Sequence, residues 1–232
     1  MTARPAVVAF DVIGTLMSIE PLRAGLAGAG QPPQLLDIWY ARILRDGMAL
    51  SAAGDYADFP SVAEAALRSL AGRPAGDEQL AAVIAGLGEL PAFPDALPAV
   101  KGLAEAGVRV VCLTNGRADS TEAFAARAGL QPFVERVISA AEVLRWKPSA
   151  VVYRYAAEVL GVWPERMALV AAHDWDCHGA KRAGMTTGWV RRRPDGPGGY
   201  GGPGGYGECF APPDVTGADL TEVAAKLLAL EP

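Results

Sequence analysis

The sequence predicts an α/β protein, a Rossmann-like, doubly wound parallel sheet with an α-helical cap subdomain inserted after its first strand. Two observations carry this prediction. Short apolar runs recur at residues 6–10, 108–113 and 167–172, each breaking off into polar residues and separated by helix-period segments, as strands and crossover helices alternate in a parallel sheet. Residues 18–95 read as helical throughout, which separates the first strand from the rest of its sheet.

Taken in order, Ala6-Val7-Val8-Ala9-Phe10 runs straight into Asp11-Val12-Ile13-Gly14-Thr15-Leu16. A carboxylate where a buried strand stops, followed by a glycine and a hydroxyl, is how such a strand presents a nucleophile at its carboxyl edge. The plainer role for Asp11 is to cap the turn. Ile38, Trp39, Ile43, Leu44 and Met48 then recur at helical spacing, as do Val62, Ala66, Leu67 and Leu70. Pro91, Pro94 and Pro98 punctuate the return to the second half, as in a hinge. These signals set the expected boundaries: a core of residues 1–17 and 96–232, and a helical cap of residues 18–95.

The second strand, Val108 to Leu113, ends in Thr114-Asn115-Gly116. Lys147 precedes Pro148 and, taken alone, reads as an exposed lysine before a helix start. Tyr153 lies at apolar helical spacing with Val152 and Ala156, which suits packing as well as substrate contact. The third run, Met167 to Ala172, ends in His173-Asp174-Trp175-Asp176, where Asp176 is either functional or an N-terminal helix cap. His178 is expected to be structural. Residues 194–207, rich in glycine with Pro and Tyr, are expected to form a flexible surface loop.

Composition narrows the function classes. An apolar fraction of 51% and a formal charge of −5 over 232 residues describe an acidic globular chain without the basic surplus that nucleic acid or anionic lipid would want. No apolar stretch is long enough to span a bilayer and the first strand begins almost at once, so a cytoplasmic protein is expected. Cys112, Cys177 and Cys209 are odd in number and lack metal-type spacing, which argues against a disulfide framework or zinc site. They are expected to be small buried hydrophobes.

Asp11 with Thr15, Thr114 with Asn115, Lys147 with Pro148, and Asp176 follow one another in the order used by the haloacid dehalogenase superfamily, which the chain resembles over roughly its whole length. Within it the chain resembles the L-2-haloacid dehalogenase branch. That likeness rests on Leu113-Thr114-Asn115-Gly116, on Lys147-Pro148 with Tyr153 six residues after the lysine, and on Trp175-Asp176 followed by Gly179-Ala180. The resemblance implies a hydrolase that needs no cofactor or metal and converts a small 2-haloacid into the hydroxy acid through an aspartyl ester. Asp11 would be the nucleophile, Lys147 its charge partner, and Asp176 with His173 the handlers of water. Thr15, Thr114, Asn115, Tyr153 and Trp175 would bind or position the substrate. Homodimers are common in the branch, although no sequence feature here bears on assembly.

Departures from the pattern matter as much. Phosphatases of the superfamily place an acid two residues after the nucleophile, where this chain has Ile13, and an acidic metal ligand four residues before the Asp176 position, where it has Ala172. A hard cation would find too few oxygen ligands there. Halide leaves as a stable anion and needs no proton, so a neutral Ile13 suits its departure better than that of an alkoxide. The branch usually reads Ser-Ser-Asn before this segment; here Ala171-Ala172-His173 stands instead, with His173 in the asparagine slot. The branch's halide-receiving arginine aligns with Tyr40, and Arg42 lies about 200° further round the helix. Three alternatives therefore stand beside the dehalogenase: a phosphatase on a small phosphate ester, a hydrolase with another leaving group, and a binder without catalysis.

Overall fold

The computed structural model describes residues 3–71, 76–192 and 205–231. Most of the glycine-rich loop expected at residues 194–207 lies outside the described residues. Strand β1 (Val7–Phe10) is followed by four helices, α1 (Leu22–Gly28), α2 (Leu35–Ala53), α3 (Phe59–Leu70) and α4 (Asp77–Ala85). The chain then alternates: α5 (Ala96–Glu105), β2 (Arg109–Thr114), α6 (Ala118–Arg127), β3 (Arg136–Ser139), α7 (Ala150–Leu160), β4 (Met167–Ala171), α8 (Asp174–Arg182), β5 (Thr186–Val190), β6 (Val215–Gly217) and α9 (Leu220–Leu228).

The six strands form one parallel sheet in the order β3-β2-β1-β4-β5-β6. Both faces are covered, which is why β1 and β4 are apolar at every position rather than alternating. Val8 and Phe10 point to the face packed by Leu103 of α5 and Leu227 of α9, while Val7 and Ala9 point to the opposite face, shared with Val152 and Ala156 of α7. The strand order reverses at β1, whose neighbours are β2 and β4, so a crevice opens at the carboxyl ends of these three strands.

The connections into and out of the helical insert are zipped to each other. Ser18 N donates to the Pro91 carbonyl at 2.9 Å, Phe93 N donates to the Leu16 carbonyl at 2.9 Å, and Met17 bridges Ala92 antiparallel. Both chain segments thus cross between sheet and helices side by side. Two sequence expectations are corrected here. Ile38 is 58% exposed because the buried side of α2 is carried by Leu36, Trp39, Tyr40 and Ile43. Cys209 is also exposed, whereas Cys112 and Cys177 are buried.

Candidate active site

Parallel strands end at the same edge, so the residues after β1, β2 and β4 meet there, joined by Lys147 from the stretch before α7. Asp11 is 4% exposed, while Lys147 and Asp176 are fully buried. The lysine ammonium spends its three donors on Asp11 Oδ1 at 2.7 Å, Asp176 Oδ2 at 2.6 Å and the Leu113 carbonyl at 2.9 Å. Its main-chain N–H donates to Asn115 Oδ1 at 2.8 Å, so Asn115 fixes the backbone that carries the cation.

The second oxygen of Asp11 accepts the Thr15 hydroxyl at 2.6 Å, and Thr15 Oγ1 in turn accepts Ala172 N at 2.9 Å. Thr15 therefore ties the loop after β1 to the end of β4. Thr114 Oγ1 accepts Gly116 N at 2.9 Å, holding the tight turn after β2. Tyr153 is fully buried, and its hydroxyl donates to Asp176 Oδ1 at 2.5 Å. Its described polar contacts are thus with Asp176. Gly179 makes this possible: a methyl group there would fall 2.7 Å from the Tyr153 hydroxyl and 2.5 Å from Pro148 Cβ.

These contacts split the two carboxylates. Burial alone would raise Asp11, but the Lys147 charge, with help from His173 and Thr15, holds its pKa below the ordinary 3.8. Asp176 ends above that value because burial and repulsion from Asp11 outweigh its bonds to Lys147 and Tyr153. Burial would lower Lys147, yet two carboxylates keep it charged and raise its pKa. The two carboxylates are thus pushed in opposite directions, Asp11 made more acidic and Asp176 less so.

His173 sits at the start of α8 with its ring stacked on Trp175, centroids 5.2 Å apart. Its Nε2 is 2.9 Å from the Ile13 carbonyl, and since a carbonyl only accepts, Nε2 carries the proton. The same nitrogen lies 3.5 Å from Asp11 Oδ2 and 3.2 Å from the Tyr40 hydroxyl, which also donates to the Ile13 carbonyl at 3.1 Å. Tyr40, from α2, therefore reaches the nucleophile's loop. Arg42 does not join this group: its described polar contact is the i,i+4 pair with Asp46, at 2.9 Å, as its different direction on the helix requires.

Two participants had no sequence signal pointing to them. Arg192 donates to the Thr15 carbonyl at 2.6 Å, pairs with Asp95 at 2.7 Å and lies 3.9 Å over the Phe93 ring, yet in sequence it is one of three consecutive arginines, a pattern typical of solvated surface. Trp146, just before Lys147, donates its main-chain N–H to Ser51 Oγ at 2.7 Å and its indole N–H to the Ala57 carbonyl at 2.9 Å. Among the described residues no group of three or more His, Cys, Asp or Glu side chains is placed to hold a metal ion.

Comparison with known proteins finds similarity to haloacid dehalogenase-like hydrolases. Residues 5–184 match the family model of haloacid dehalogenase-like hydrolases. The chain is 30% identical to (S)-2-haloacid dehalogenase 2 of Pseudomonas sp. (strain CBS-3), over 80% of this chain and 83% of that one. It is also 30% identical to the (S)-2-haloacid dehalogenase of Xanthobacter autotrophicus, over 80% and 74% of the two chains. The structure of L-2-haloacid dehalogenase from Xanthobacter autotrophicus superposes with a TM-score of 0.85 at 26% identity, covering 97% of this chain and 99% of that one.

Proposed function

This chain belongs to the haloacid dehalogenase-like hydrolase family, and on that premise we propose that it is a hydrolase of the L-2-haloacid dehalogenase type, acting on a small 2-halocarboxylic acid. The observation that carries the reading is the Asp11 carboxylate, held as an anion by Lys147 and Thr15 with the neutral Ile13 two residues on.

In the first step an Asp11 carboxylate oxygen attacks C2, a C–O bond forms, and the halide departs with the electron pair of the carbon–halogen bond. In the second step water attacks the ester carbonyl of Asp11, the carbonyl–alkoxy bond breaks, and the hydroxy acid leaves while the water oxygen remains in the carboxylate. One proton is released overall. His173, 3.5 Å from Asp11, orients this water, and Asp176 acts through Lys147, whose charge it holds in place. The main-chain amides of the turn after β2, shaped by Thr114 and Asn115, receive the substrate carboxylate. Tyr40 and Trp175 wall the leaving-group side beside His173. We assign residues 1–17 and 96–232 to the core and 18–95 to the cap, on the support of the zipped crossing segments.

Halide release from chloroacetate and 2-chloropropanoate, measured with a chelator present in wild type and Asp11→Asn, tests the reading. Chelator-resistant release that vanishes in the variant is expected. Release that requires added magnesium, or survives in the variant, overturns it.

A further inference from the structure

Beside the nucleophile's loop lies a cavity of about 180 Å³ between the sheet edge and the inserted helices. Its floor is Ile13 and Gly116, from the two turns that hold Asp11 and Thr114, and its walls are mainly apolar: Met17, Phe59, Leu87 and Leu90. Neither Asp11 nor Lys147 lines it, so the cavity adjoins the reacting groups without containing them. Arg117 is the charged residue on its lining, and that guanidinium is occupied by Asp119 at 2.7 Å and Asp58 at 3.7 Å. The cavity therefore offers apolar surface with no unpaired charge to attract a second anionic group.

A haloacetate or halopropanoate held at Asp11 would leave this space unused. An apolar cavity of roughly 150 Å³ is known to accept benzene, and burying hydrocarbon there is favourable in proportion to the area removed from water. We infer that the substrate is a 2-halocarboxylic acid whose C2 carries an apolar group of roughly four to six carbons, seated in the cavity floored by Ile13 and Gly116. This rests on the dehalogenase reading above. Ile13 and Gly116 lie close together in the cavity floor, where a methyl group on Gly116 would stand 3.5 Å from Ile13 Cδ1, and Ile13 is two residues from Asp11, so a substituent on C2 would enter the cavity past this pair.

The test is a series of halide-release rates for chloroacetate, 2-chloropropanoate, 2-chlorohexanoate and 2-chloro-2-phenylacetate, in wild type and in Ser120→Phe and Leu87→Trp, two enlargements on the cavity lining. The readout is the ratio of kcat/KM for the long acids to that for chloroacetate, which is insensitive to the fraction of a variant that folds. A wild-type ratio of roughly ten or more, falling about tenfold in both variants, is expected. A ratio at or below one, or one the variants leave unmoved, overturns the inference. Calorimetry with unhalogenated hexanoate and acetate separates the two readings if no acid releases halide. Tighter binding of hexanoate, weakened by Ser120→Phe, sustains the cavity while the dehalogenase reading falls; equal or absent binding overturns the cavity as well.

Discussion

Trp146 lies so close against the backbone of Gly47 that a methyl group on that glycine would stand 2.3 Å from Trp146 Cδ2. Trp146 precedes Lys147 in sequence, and Gly47 lies in the middle of α2. The indole also stacks on Phe59 with centroids 5.7 Å apart and donates to the Ala57 carbonyl. The inserted helices therefore grip the residue adjacent to the buried cation, so that cap packing and the placement of Lys147 are a single mechanical problem.

Gly47→Ala should destabilise the protein. In most helix interiors that change stabilises by about 1 kcal/mol, since alanine has the higher helix propensity. Here the added methyl must displace a fully packed indole, and overpacking costs about 1–3 kcal/mol. The melting temperature is expected to fall by several degrees, with a drop in kcat as Lys147 shifts. A variant as stable and active as wild type would show that Trp146 moves freely and does not couple cap to core.

Lys147→Met should abolish turnover, lowering kcat by roughly 10³ or more, as expected when a preorganised charge at the reacting group is lost. It also leaves Asp11 and Asp176 buried together without a cation, a loss that costs about 3–5 kcal/mol for a buried pair. Both carboxyls then have folded pKa values above their unfolded ones, so the variant gains stability as pH falls through those raised values. Urea unfolding of the variant at pH 7 and pH 5 checks the sign. Lower stability at pH 5 would contradict the role of Lys147 as the neutralising charge.

The fold was legible because its central strands are apolar on both faces. Runs at 6–10, 108–113 and 167–172 correspond to β1, β2 and β4, the three adjacent strands whose ends carry the site. The edge strands β3 and β6, and β5 beside β6, were not legible: β3 has an exposed Arg136 at its start, β5 reads Thr-Thr-Gly-Trp-Val, and β6 is three residues long. Asp11 stands out because it follows directly on an apolar run, whereas Lys147 and Asp176 stand out only through the order of motifs that carries the family resemblance. For Tyr153 the sequence suits packing and substrate contact alike, since helical spacing gives a residue's face but not the partner of its hydroxyl. Trp146 and Arg192 act through backbone carbonyls and a glycine distant in sequence, and pairings of that kind leave no local pattern.

Tyr153→Phe isolates the second carboxylate. The tyrosine hydroxyl is the partner of Asp176 Oδ1 and lowers that group's pKa, which burial and Asp11 otherwise push above 3.8. Protonated Asp176 no longer holds Lys147 with a full charge, so activity in the wild type should fade as pH drops through this raised value. The Asp11 contribution has the opposite sign, with a depressed pKa whose stabilising effect is present above about 3.8 and lost below it. Removing the hydroxyl raises Asp176 further, and the acid limb of kcat/KM should therefore move to higher pH while the plateau falls by no more than about tenfold. Lys147 is held charged by both carboxylates, so the alkaline side of the profile should be unchanged by the substitution. An acid limb at the same pH in Tyr153→Phe and wild type would mean that a group other than Asp176 sets it.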